Sequence, residues 1–174
     1  MNPSSISEIK KDLEKRDSNE LLEYCVRLAR YKKENKELLT YLLFEAQDEE
    51  SYIKSVKAEI EELFGTINLT QLYFAKKTLR KIVRVINKFS RYSGNKQTDL
   101  ELRIFFCTQL KESGIPYRQS QLISNIYDSQ IKKIISVLGD LHEDLQHDYQ
   151  KMITRLQEHD EKGKGLWSLF RKRK

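Results

Sequence analysis

Proline is nearly missing from this chain and glycine is sparse, with two Pro (Pro3 and Pro116) and six Gly among 174 residues. An all-β fold needs such residues at its many strand turns, so the shortage argues against one and leaves helices as the building material. Cysteine is equally scarce. Cys25 and Cys107 stand apart, each inside an apolar helical pattern and neither in a CxxC, which excludes a disulfide scaffold and reads as two reduced, buried small hydrophobes. No apolar run approaches the ~20 residues of a membrane span. The opening MNPSSISEIKKDL also lacks the apolar stretch of a signal peptide, so a cytoplasmic location is expected.

Other absences bear on chemistry. The glycines (Gly65, Gly94, Gly114, Gly139, Gly163, Gly165) fall singly or in the tail, so no Gly-rich loop is available to cradle phosphates. Three histidines occur, all late, and His142 and His147 superficially match a zinc-protease pattern. Two rings on one helix reach a common metal when four residues apart. Five apart, they diverge by roughly 140°. Glu143 and Asp144 share a face with His147, but no second carboxylate–histidine pair exists to complete a di-iron centre. No metal, cofactor or catalytic residue is therefore assigned, and the chain is expected not to be an enzyme.

What is present is a charged, moderately apolar chain, 39% hydrophobic and 33% charged, long enough for one buried core. Capping boxes mark helix starts: Ser5 with Glu8, Asp17 with Glu20, Asn68 with Gln71, Thr98 with Glu101, and more weakly Asp48 with Ser51. They place helices at 5–16, 18–32, 35–47, 49–64, 69–92 and 98–112. Ser113-Gly114-Ile115-Pro116 then stops the sixth, because glycine accepts the left-handed conformation past a helix end and proline cannot continue the ladder.

A last long helix is expected from Gln119 or Ser129 to about His159, with Tyr127-Asp128-Ser129 as its candidate break. Its apolar stripe (Ile131, Ile134, Ile135, Leu138, Leu141, Leu145, Tyr149, Met152, Ile153, Leu156) recurs at three and four residue steps and narrows toward its C-terminal end like a coiled-coil seam, which offers a homodimer contact through 131–156. Gly139 within it reads as a tolerated defect.

The expected fold is all-α: six or seven helices in antiparallel hairpins forming a single domain over 1–160, followed by a flexible basic amphipathic tail over 161–174. Arg30-Tyr31, Asn35-Lys36 and Leu42-Leu43-Phe44 are echoed about 60 residues later by Arg91-Tyr92, Asn95-Lys96 and Ile104-Phe105-Phe106. A duplication would give two three-helix units, 18–64 and 69–160, stacked as a short solenoid. Chance similarity between two amphipathic hairpins is the simpler explanation of the echo, and no known repeat signature is satisfied.

Charge is the informative feature. The helix expected at 69–92 holds Lys76, Lys77, Arg80, Lys81, Arg84, Lys88 and Arg91 and no acid. Its apolar residues, Leu72, Ala75, Leu79, Ile82, Val83, Ile86 and Phe89, define an inward stripe, so Lys77, Arg80, Lys81, Arg84, Lys88 and Arg91 climb the opposite face as a ridge about 20 Å long. Either Glu49, Glu50, Glu59, Glu61 and Glu62 of the preceding helix neutralise this ridge, or it attracts a polyanion. The second basic surface is the tail, KGKGLWSLFRKRK, which carries the whole formal net charge of +6. Leu166, Trp167, Leu169 and Phe170 beside Arg171, Lys172, Arg173 and Lys174 suit an anionic membrane surface, a docking peptide or a plain disordered end. Leu166-Trp167-Ser168-Leu169-Phe170 also resembles the Gln-Leu-Ser/Asp-Leu-Phe pentapeptide by which bacterial proteins dock on the replication sliding clamp, with Trp167 and Leu166 departing from that pattern.

The expected role is a non-catalytic adaptor that binds a protein partner through the ridge and the tail. The alternatives are peripheral membrane association through the tail and nucleic-acid binding, with phosphates on the ridge and Tyr92 or Trp167 stacking on unpaired bases.

Overall fold

The computed structural model describes residues 2–68 and 71–156, and these are helical wherever they are regular. The elements are α1 (Ile6–Leu13), α2 (Ser18–Tyr31), α3 (Lys33–Thr40, continued by a π turn at Tyr41–Glu45), α4 (Glu49–Gly65), α5 (Leu72–Ser93), α6 (Lys96–Glu112), α7 (Gln121–Gly139) and α8 (143–156). No helix among the described residues is long and apolar enough to cross a membrane. The chain divides into two compact units, 1–47 and 48–174.

Unit 1 is built from local signals. Ser5 and Asp17 form the two expected capping boxes, each with its glutamate three residues on. The turn from α2 to α3 passes through Lys32 in extended conformation, and the Asn35 side chain donates back to the Leu28 carbonyl at 2.9 Å, tying the two helices. Tyr41 is the one buried residue of this unit among the described residues. Ile6, Leu22, Leu28, Tyr31 and Phe44 are exposed, and so is Cys25, against the expectation that both cysteines are buried.

Unit 2 has a continuous core around α6, which packs on α4, α5 and α7. Leu100, Leu102, Phe106, Cys107 and Leu110 are fully buried on more than one face of α6, as a helix surrounded by neighbours requires. Ile60, Leu79, Ile82, Ile86, Ile123 and Ile134 supply the facing side chains. Asp48 caps α4 by accepting from the Ser51 N–H, as expected.

Three expectations are corrected here. First, α5 begins at Leu72, with Gln71 as an N-cap that makes no side-chain bond, rather than at a box set by Asn68. Second, Thr98 does not cap α6. The chain leaves α5 through Gly94, whose φ of 66° is left-handed, and the Asn95 side chain accepts from the Gln97 N–H, so the helix starts at Lys96. Thr98 is buried inside that helix and its hydroxyl donates to Glu49, which also accepts from Ser93.

Third, the long C-terminal helix is two helices. It breaks after Gly139, where the Asp140 and Leu141 N–H groups close tight turns onto Val137 and Leu138, while Tyr127-Asp128-Ser129 runs through unbroken. The chain then reverses. Lys96 meets Asp140 and Arg103 meets Gln130, so α7 runs antiparallel to α6. Gln97 meets Tyr149 and Lys111 meets Leu156, so α8 runs parallel to it. The stripe offered as a dimer seam is thus divided, with Ile134, Leu138, Ile153 and Leu156 buried within the unit and Ile135 and Met152 exposed.

α4 belongs to unit 2 and packs on α5 and α6. Both copies of the internal echo fall at helix junctions, but their asparagines bond differently: Asn35 donates to a carbonyl and Asn95 accepts from an N–H.

Candidate functional site

The ridge follows from how α5 is held. Ala75, Leu79, Ile82, Val85, Ile86 and Ser90 are buried, and at about 100° per residue they cover an arc of roughly 140°. Lys77, Arg80, Lys81, Arg84, Lys88 and Arg91 fall within about 100° on the other side of the helix. All are exposed except Lys88, which is half-buried with its ammonium 4.3 Å from the Phe89 ring centroid.

Among the described residues the acids of α4 form no ion pair with Lys77, Arg80, Lys81, Arg84 or Arg91. Glu49 is engaged by Ser93 and Thr98, and Glu50 pairs with Lys54 in its own helix. Farther along, Lys57 of α4 pairs with Glu101 of α6. Among the described residues, no ion pair joins Lys77, Arg80, Lys81, Arg84 or Arg91 to a carboxylate. Two guanidinium groups instead bend along the helix, Arg84 Nε donating to the Arg80 carbonyl at 3.3 Å and Arg91 Nε to the Asn87 carbonyl at 3.2 Å.

Two aromatic residues continue the same line. Tyr73 lies 18 residues before Arg91, about five whole turns, and so shares its angle on the helix. Phe74 stands beside it near the angle of Lys81. The Tyr73 side is 74% exposed and Phe74 49%, with ring centroids 5.4 Å apart and planes at 78°. The sequence reading passed over both. The signal was there: the three–four stepping that links the cations, carried one turn back from Lys77, lands on these rings. Tyr92, the residue first offered for stacking, is half-buried and edge-on to Phe89 at 5.9 Å.

At the Arg91 end the ridge borders a cleft of about 700 Å³ lined by Asn87, Ser90, Arg91, Asn95, Asp99 and Arg103, among others. Its charges are largely matched. Arg103 donates to Asp99 at 2.9 Å, to Gln130 at 2.6 Å and to Asn87 at 3.0 Å. Lys96, at the rim, pairs with Asp140 at 3.1 Å.

Elsewhere in unit 2 a second polar cluster ties three helices. Tyr149 of α8 donates to Glu101 at 2.8 Å and accepts from Gln97 at 3.0 Å, while Lys57 reaches the other Glu101 oxygen at 3.0 Å. Burial, reinforced by the Glu101 carboxylate, pushes the Tyr149 phenol up to about 12. Burial also opposes the charge on Glu101, but hydrogen bonds from Lys57 and Tyr149 outweigh it and hold that carboxyl below its ordinary value. Such a cluster braces α4, α6 and α8.

His142 lies in the break before α8, not on a helix with His147, and its Nδ1 is 3.3 Å from Asp144. Among the described residues no three His, Cys, Asp or Glu side chains gather where they could hold a metal ion. Leu166, Trp167, Leu169, Phe170, Arg171, Lys172, Arg173 and Lys174 of the tail lie outside the described residues. Comparison with known proteins finds no match to this chain among family models, curated proteins or solved structures.

Proposed function

We propose that this chain is a non-catalytic helical adaptor that meets a polyanionic macromolecule across the exposed face of α5, with the basic tail as a second contact. One observation supports this reading above the others: Lys77, Arg80, Lys81, Arg84 and Arg91 share one side of one helix with no carboxylate partner among the described residues. Five like charges within about 20 Å repel one another and gather anions from solution, and a polyanion that replaces those small ions gains their release. The core of unit 2 holds the ridge on a rigid element, so the charges are presented in fixed register rather than on a loose end.

The reading is tested by reversing two charges in the middle of the ridge. Arg80→Glu with Arg84→Glu leaves the fold intact, because both side chains are exposed. Retention on an immobilised polyphosphate column is expected to weaken steeply with salt for the unmodified protein and to vanish for the variant. Equal retention of the two proteins would refute the assignment.

A further inference from the structure

Resting on that reading of α5, we infer that the polyanion is a single-stranded nucleic acid, its phosphates tracking Lys77 to Arg91 and its unpaired bases stacking on Tyr73 and Phe74. The argument starts from the cost of two exposed rings. An aromatic side chain left in water forgoes the burial that makes it worth having, and here two adjacent ones do so at the start of a helix whose other face is fully used. Tyr73 stands on the arc that carries the cations, and Phe74 at the edge of that arc, about 20° beyond Lys81 and about 20° short of Val85 of the core.

Ring and charge in one line match a ligand that alternates flat apolar surfaces with negative groups. An unpaired strand has that composition: every base offers a π face and every linkage a phosphate. A duplex hides its base faces inside the stack, so it would use the ridge and leave the rings idle. An acidic peptide has the charge but no repeating flat surface. A membrane-lying helix buries an apolar face along its length, whereas the apolar length of α5 is already spent on the core and only its first turn carries exposed rings.

From Tyr73 to Arg91 the helix rises about 27 Å. An oligonucleotide of about ten residues, within the usual ~4–16 nucleotide site sizes, is long enough to cover the whole line.

The test uses the full chain and fluorescence anisotropy with labelled oligothymidylate and oligouridylate of that length, a duplex, and a base-free deoxyribose-phosphate chain of equal charge. Both single strands are expected to bind more tightly than the base-free chain, and a preference between them identifies the sugar. Tyr73→Ala with Phe74→Ala should weaken single-strand binding roughly five- to 150-fold for each base that loses its ring, and leave the base-free chain and the salt dependence unchanged. Tyr73→Trp, which keeps a ring, should retain binding. Equal affinity for the base-free chain, or indifference of the oligonucleotides to losing the rings, overturns the inference while leaving the ridge reading standing. Loss of every polyanion contact in the unmodified protein overturns both. Sedimentation with phosphatidylserine vesicles that the ring substitutions abolish, with no oligonucleotide bound, would assign the face to a membrane instead.

Discussion

Replacing Arg103 with methionine should be among the most damaging single changes in unit 2, and the reason lies in what it leaves behind. Arg103 is 5% exposed, and its guanidinium joins three helices: Asp99 on α6, Asn87 on α5 and Gln130 on α7. Asp99 Oδ1 lies 2.7 Å from it, close enough for an ion pair but poorly aligned for a hydrogen bond. Methionine fills similar space but donates nothing, so the Asp99 carboxylate loses its counter-charge and the buried Gln130 oxygen its donor. Breaking a buried pair this way costs about 3–5 kcal/mol. Asp99 borders the cleft and can gain some water, which places the expectation near 3 kcal/mol, at the low end of that range. With a urea m-value of about 1–3 kcal/mol/M, the unfolding midpoint should fall by at least about 1 M. Adding Asp99→Leu removes the stranded charge and should recover most of the loss. The assay is urea unfolding followed by circular dichroism for the single and double variants. A single-variant loss below about 1 kcal/mol, or a double variant as unstable as the single, would refute the account of Arg103 as a buried, mutually dependent ion pair.

Two further outcomes follow from the structure. The Tyr149 phenol titrates at about 12 against an ordinary 10.0, so its contribution to stability is complete below pH 10 and lost as pH climbs toward 12; Glu101 titrates below its ordinary 4.5, so its share is complete above that pH and lost as pH falls beneath it. Unfolding midpoints measured across pH should show both flanks, and Tyr149→Phe should flatten the alkaline one. The glycines at the ends of α5 and α7 should behave oppositely on substitution by alanine. Gly94 sits at φ +66°, where a side chain costs roughly 1–2 kcal/mol, whereas Gly139 is helical with open space around its would-be Cβ and should gain up to about 1 kcal/mol. Thermal melts of the two variants should move in opposite directions from the parent.

The parts of the fold that were legible in sequence are those decided within a few residues. Ser5, Asp17 and Asp48 cap their helices because a side chain and an N–H three positions on meet whatever the rest of the chain does. Thr98 looked the same and behaves differently, since its hydroxyl finds Glu49, which is 49 residues away in the chain. Gly139 misled for a related reason. A glycine weakens a helix interior by only about 1 kcal/mol, too little to show whether the helix runs on or stops, and what decides here is that α8 has partners on α6: Glu101 and Gln97 for Tyr149, and Lys111 for its last turn. The cationic face of α5 could be read because an all-basic arc opposite an apolar one leaves no other arrangement. That Lys77, Arg80, Lys81, Arg84 and Arg91 meet no carboxylate among the described residues could not, because it depends on Glu50 and Glu101 pairing with Lys54 and Lys57. Tyr73 and Phe74 carry no charge and fall outside the apolar stripe, so neither the basic nor the apolar pattern picks them out, although Tyr73 shares the helical angle of Arg91.

The near-absence of buried side chains in unit 1 has a consequence for how its order is maintained. Its first two helices rest on capping boxes and on exposed pairs such as Lys10 with Glu14 and Arg16 with Glu20, contributions of about half a kcal/mol each for the pairs and about 1 for a cap. Segments of 8 and 14 residues held so lie at or below the length where an isolated helix is marginal in water. Helix content before Asp48 is therefore a graded quantity, adjustable by one residue, one modification or a change of solvent. Past that point a shared interior makes every loss collective.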